Sequence, residues 1–568
     1  MRRTTWLLLL ALACGDDDAL DDAGSDAAVD ASIDAPARDA SVMDWPEMRP
    51  EASTVPEAGI RRELFLVAGA TPPPNPTTDT ATPSELNATQ VVRYRRDVSP
   101  PAPARAVVVC MPGFLGGGGS FEGIARTLVR NGLDGEPIEV WAIDRRANLL
   151  EDLRGADAAE ALNQPEIAQG YYFGGETVGG VAFEGYPAQS EVAYMSEWGL
   201  ATHVDDLRAV LQRIEASERQ ARVFLLGHSL GASFTEAYAA WRFEDGTRGV
   251  EELAGLILVD GALGATESTE DEYRNGSMSG GSVIPSPGLD AVREGDRYVA
   301  LPLLGVEALT RAEVISLRAL HDPDAIVEDV ERDRLLAILM GMSFRDVPAM
   351  TNETALALAF DDQFQPLGFI RAKVGQLVGP TETYASALAG GEMLLRPSDR
   401  DGSYTWRDAL DGDPAEYTPV QNMAESFVHG RTNFAEWYFP TRLPLDLGAV
   451  GGARVAEDGW QASEGLRAFD GALIDAPVLA IAADLVGDPT RYEAIRDRVA
   501  PAVGEGRPAA GVTRDDPRAF RIVDATDLAH LDVVFAGDES ADNPMPAAIE
   551  DFLREHTADG TLAIEVME

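Results

Sequence analysis

Lysine is almost missing from this chain: Lys373 is the only one in 568 residues, so the other basic side chains are arginines. Positive charge is scarce as a whole. Against 95 acidic residues the 46 basic ones leave a formal net charge of −49, which excludes nucleic acid or an anionic bilayer as a partner held by long-range attraction. The bias reads as compositional, with adaptation to salt as the alternative. Cysteine is nearly absent too, with only Cys14 and Cys110, too few for a disulfide framework. The Asp clusters lack the glycine and terminal glutamate of an EF-hand loop, so no metal is expected, and no other cofactor motif is present. A long apolar run is also lacking. The stretch from Thr4 to Ala13 is the nearest to one, and it is too short to span a bilayer as a helix.

That stretch follows Arg2 and Arg3 and ends in small residues before Cys14, the layout of a secretory signal. Leu10-Ala11-Leu12-Ala13-Cys14 resembles a bacterial lipoprotein signal, with Ala11 where leucine is usual. The resemblance implies that residues 1–13 are removed and Cys14 is lipidated, with an envelope-anchored protein the expectation and a secreted or periplasmic one the alternative. Residues 14–60 are Asp- and Ala-rich with scattered proline. Such a segment has too little apolar surface to offset its ordering entropy and is expected to act as an acidic tether.

Among what is present, Val223 to Gly231 reads VFLLGHSLG. An apolar strand ends in Gly227-His228-Ser229-Leu230-Gly231, a serine between glycines on a sharp strand-to-helix bend that exposes its hydroxyl. With 54 glycines in the chain the pentapeptide alone is a weak signal. Its flanks strengthen it. Val204, Leu207, Val210 and Leu211 share a helical face before the strand, and Phe234, Ala237, Tyr238 and Trp241 share one after it.

Further apolar strands are expected at Glu63 to Ala68, Thr89 to Val98, Ala106 to Cys110, Ile138 to Ile143, Gly255 to Val259, Pro477 to Ala483 and Phe520 to Val523. Helices are expected near Phe121 to Asn131, Ser233 to Phe243 and Pro544 to His556. Alternating buried strands and helices describe an α/β fold with a mostly parallel sheet flanked by helices. Residues 263–474 break that alternation and are too long for a loop. They read as a cap inserted after the sixth strand, with helical runs at Asp333 to Met342 and Ala355 to Phe360, between core segments 61–262 and 475–568.

A serine nucleophile needs a base, a group to orient the base, and donors for the oxyanion. Of six histidines, His228 lies in the elbow, His203 before it, His321 and His429 in the inserted segment and His556 in the last helix. His530 remains, in a loop after the last strand. For the acid, Asp484 and Asp488 follow the strand 477–483, and Asp260 ends the preceding one. Chain order alone does not separate the three.

The order Ser229, acid, His530 resembles the α/β-hydrolase superfamily, and several segments are similar to its acid lipases, the gastric and lysosomal group. Asp484-Leu485-Val486-Gly487-Asp488-Pro489 is similar to that group's Asp-Leu-Leu-Ala-Asp-Pro, and His530-Leu531-Asp532 to its His-Leu-Asp. The turn Asp144-Arg145-Arg146-Ala147-Asn148 and the approach Glu197 to Leu211 share the likeness, which leaves tether and cap unmatched. It implies a triad of Ser229, Asp484 and His530, with Asp488 as alternative acid. Where the group has His-Gly-Leu, this chain has Pro112-Gly113-Phe114. Backbone donors need no particular side chain, so the amides of Phe114 and Leu230 are the expected oxyanion site.

The expected activity is hydrolysis of apolar carboxylic esters through an acyl-enzyme, the substrate a small molecule or lipid. A serine peptidase, amidase or acyltransferase on the same triad is the alternative, followed by an inactive lipid-anchored binding protein. The membrane is expected as a partner only through the lipidated N-terminus, and the oligomeric state is left open.

Overall fold

The computed structural model describes residues 49–50, 57, 59–278, 285–300, 305–327, 334–409, 415–428, 432–537 and 543–561. The expected signal peptide, Cys14, most of the tether and His429 lie outside them. Eight strands form the main sheet: β1 (Ile60–Ala68), β2 (Ala88–Arg96), β3 (Ala106–Met111), β4 (Ile138–Asp144), β5 (Val223–His228), β6 (Gly255–Val259), β7 (Val478–Ala482) and β8 (Phe520–Asp524). Their spatial order is β1-β2-β4-β3-β5-β6-β7-β8, with the short strand Arg49–Pro50 pairing on the outer edge of β1. Among the eight, β2 alone points opposite to the rest, antiparallel to both β1 and β4; β4-β3-β5-β6-β7-β8 is parallel throughout.

The inner strands are apolar at nearly every position because both faces are covered. Val108, Cys110, Val140, Ala142, Phe224 and Leu226 face one core, and Val107, Val109, Trp141, Ile143, Val223 and Leu225 face the other. Helices supply the cover. On the first face lie α1 (Glu122–Asn131), through Ile124 and Leu128, and the last helix (Met545–His556), through Ile549 and Phe552. On the second lie α2 (Leu200–Leu211) and α3 (Leu230–Ala239), through Val204, Leu207, Phe234 and Tyr238. Each buried leucine or phenylalanine contributes about 1.5–3 kcal/mol. The sheet is thus a rigid plate whose C-terminal edge can carry loops.

The helix after the elbow begins at Leu230, three residues before the expected start, because a helix can follow the elbow serine directly when its first amides point outward. Between β6 and β7 the chain runs through helices α4 (Glu307–His321), α5 (Asn352–Phe360) and α6 (Val420–Phe427), which pack on one another. It also contains strands that the helical reading passed over. Gly375–Val378 pairs antiparallel with Ser403–Asp408, and Thr381–Ser386 forms a hairpin with Glu392–Pro397. The period of two was present in Ser403–Asp408, where Tyr404 and Trp406 are buried between exposed neighbours. Among the described residues no helix is long and apolar enough to cross a membrane.

Candidate active site

Ser229 follows the last residue of β5 at φ 58° and ψ −123°, a backbone conformation costly for a residue with a side chain. The flanking residues show why the bend needs glycine. A Cβ on Gly227 would lie 2.0 Å from the Gly231 carbonyl oxygen, and one on Gly231 would lie 2.1 Å from that of Met111. The bend is secured by the Ser229 amide, which donates to the Val259 carbonyl at 2.8 Å. That contact places the serine beside the end of β6, where Asp260 and Gly261 follow.

Asp260 is fully buried at φ 43°, another non-glycine residue in the left-handed region. Its Oδ2 lies 2.6 Å from His530 Nδ1. Its Oδ1 accepts from the amides of Ala483 at 2.9 Å and Val486 at 3.0 Å, and the Leu485 amide donates to Oδ2 at 3.3 Å. Burial alone would raise this carboxyl, but the hydrogen bond and charge of His530 and the Val486 amide outweigh it and hold the pKa below the ordinary value. The imidazole's carboxylate partner is therefore Asp260. Asp484 makes no hydrogen bond to His530 among the described residues, and burial of its carboxyl, against the charge of His530, pushes its pKa up to about 6. Asp488 is exposed and caps its own turn, accepting from Thr490 N at 3.0 Å. The segment that suggested Asp484 still serves the site, through the amides of residues 483, 485 and 486 rather than through a side chain.

Among the described residues neither Ser229 Oγ nor His530 Nε2 has a hydrogen-bond partner, so both are uncommitted; such contacts often tighten only with substrate bound. His228 packs its ring on His530, with centroids 4.4 Å apart.

The expected oxyanion loop sits against the serine. A Cβ on Gly113 would lie 2.9 Å from Ser229 Cβ, so only glycine allows the approach. The amides of Phe114 and Leu230 donate to no protein group among the described residues, which leaves both available to an anion. Where the acid lipases have histidine, the loop is held by Arg145, a residue the sequence reading noted only for its turn. The buried Arg145 guanidinium donates to the carbonyl of Pro112, to that of Gly113 at 3.0 Å and to that of Gly116 at 3.0 Å, and pairs with Glu436 at 2.5 Å. Three carbonyls drawn to one cation fix the direction of the peptides between them.

Residues Gly116 to Gly119 form a packed contact. The Gly117 amide donates to the Phe434 carbonyl at 2.6 Å and that of Gly119 to Asn433 at 3.1 Å. A Cβ on Gly119 would lie 2.4 Å from the Ser426 carbonyl oxygen. The segment between β6 and β7 thus presses on the loop after β3. It also touches the His530 loop, where the Leu531 amide donates to the Arg371 carbonyl at 2.9 Å. An apolar cavity lies at this junction, lined by Phe114 and Leu115 of the oxyanion loop and by Ala312, Phe360, Leu367 and Phe369 among others. No cluster of three metal-binding side chains occurs among the described residues.

No family model and no curated protein matches the chain. Solved structures align over most of both chains at low identity. An α/β-hydrolase-fold protein from Nakamurella multipartita is 14% identical, covering 87% of this chain and 99% of its own at a TM-score of 0.32. A thermophilic esterase from Thermogutta terrifontis is 12% identical, with 86% and 98% covered at 0.30. A soluble variant of monoglyceride lipase from Saccharomyces cerevisiae is 12% identical, with 91% and 96% covered at 0.30. Strand order, the single reversed strand β2, the serine bend after β5 and the histidine loop after β8 carry the assignment independently of those scores: this chain has the α/β-hydrolase fold.

Proposed function

We propose that the protein is a serine carboxylic-ester hydrolase in which Ser229 is the nucleophile, His530 the base and Asp260 the residue that orients the base. The observation that carries this is the buried His530–Asp260 pair, at 2.6 Å, held against the elbow by His228, the residue before Ser229. In this reading Ser229 Oγ attacks the acyl carbonyl as its proton passes to His530 Nε2, and Asp260 stabilises the imidazolium. The amides of Phe114 and Leu230 receive the oxyanion. Collapse expels the alcohol with the proton from His530, and water, deprotonated by the same nitrogen, releases the acid from Ser229.

The cavity beside Phe114 supports an apolar acyl group. The likeness of residues 484–489 to acid lipases supports an ester over an amide, although the carboxylate it points to is not the one bonded to His530. The reading keeps Cys14 as a lipidated anchor to the cell envelope. The decisive experiment is a panel of nitrophenyl esters of rising chain length, run beside aminoacyl amides, on wild type and Ser229→Ala, with labelling by a fluorophosphonate. Ester turnover and labelling that both vanish in the variant are expected. Turnover of amides but not esters would sink the ester reading, and undiminished activity in Ser229→Ala would sink the mechanism.

A further inference from the structure

We propose that His228 is a positioning residue for this reaction, its ring supporting the face of His530 while its Nε2–H anchors the His530 carbonyl. The inference rests on the Ser229–His530–Asp260 reading above. His228 closes β5 and is buried, as is His530. The two rings lie 4.4 Å apart at an interplanar angle of 31°. His228 Nε2 is 3.0 Å from the His530 backbone oxygen, and since a carbonyl only accepts, Nε2 carries the hydrogen. One side chain therefore holds both the ring and the backbone of the residue that must move a proton.

The arrangement also has an electrostatic side. Burial, reinforced by the neighbouring His530, lowers the His228 pKa to about 3, so the ring is neutral near pH 7. When His530 takes up the serine proton, its new charge meets the face of an uncharged aromatic ring instead of a second cation. The groups around His530 are Asp260 from the end of β6, Asp484 from the loop after β7, and His228; Arg371 and Lys373 from the inserted segment act on Asp484.

The two contributions separate by substitution. His228→Phe keeps a ring to stack and loses the donor; His228→Gln keeps an amide donor and loses the ring. Each is expected to lower kcat about tenfold, His228→Phe through the lost hydrogen bond and His228→Gln through the lost ring contact with the charged imidazole, with KM nearly unchanged, when rates are normalised to sites titrated by fluorophosphonate. The acid limb of the kcat/KM profile should move to lower pH in His228→Gln and stay in place in His228→Phe. Variants with a lower Tm but wild-type kcat per titrated site and an unmoved limb would overturn the inference, leaving His228 a packing residue. A wild type that neither turns over esters nor labels would overturn the catalytic reading itself. Should His228→Gln fail to fold, His228→Phe still decides on kcat.

Discussion

Asp260 and Asp484 follow neighbouring parallel strands, and only Asp260 touches His530. In sequence the two are equivalent: a carboxylate after an apolar strand, upstream of the same histidine. What separates them is backbone direction. Asp260 turns into the left-handed region at φ 43° and points into a ring of amides from residues 483–486, a preference that depends on how two loops wrap each other and has no local signature. The bend at Ser229 and the loop position of His530 were legible because one had a motif and the other no competitor; the contacts of Arg145 were not, since a buried arginine stapling a loop looks in sequence like any other arginine. Asp260→Asn is expected to reduce kcat by ~10³–10⁴-fold, the scale known for loss of the orienting carboxylate in serine triads. Asp484→Asn and Asp488→Asn should leave kcat within a few-fold. Steady-state rates with a nitrophenyl ester, per titrated site, test this, and the opposite ranking would restore Asp484.

At the scale of elements, the sheet was readable because its strands are short apolar runs bounded by turns, the strongest of local patterns. The stretch between β6 and β7 was less so, because its strand Thr381–Ser386 is mostly exposed and carries few apolar residues, and its partner Glu392–Pro397 lacks a clean alternation of buried and exposed positions. Its helices are the part that meets the site. Helix α4 presents Ala308 and Ala312 to the apolar cavity, where α5 contributes Ala359 and Phe360. Small side chains there leave room that a larger one would fill. Ala312→Phe should therefore shift the preferred nitrophenyl ester to a shorter acyl chain, with the rate on acetate nearly unchanged, since an acetyl group has no chain to extend into the cavity. An unchanged chain-length profile would place the acyl group elsewhere.

For the molecule as a whole, the acidic composition continues into the interior. Burial raises Asp144 to about 6, Glu436 and Asp532 to about 7, and lifts Glu313 and Asp361 well above the ordinary carboxylate range. These carboxyls bind protons in the folded chain before the unfolded one does, so folding gains stability as pH falls through their folded values. Burial lowers His203 and His228 to about 3 and His556 to about 4. They act in the other direction, taking protons only in the unfolded chain below about pH 6.5. Among the described residues twelve carboxyls are raised and four imidazoles, His321 included, are lowered, a net gain on acidification to which the lower net charge adds. Thermal unfolding should show a higher Tm at pH 5.5 than at pH 7.5, by about 3 °C or more; a lower Tm at pH 5.5 would contradict the balance. The scarcity of lysine has a practical consequence of its own. The ε-amine of Lys373 donates to the Asp527 carbonyl in the histidine loop, and its backbone amide to Asp532. A dye that reacts only with side-chain amines would therefore mark a single point, at the seam where the segment between β6 and β7 meets the loop of His530. Its emission would follow the parting of the two during turnover without any engineered attachment site.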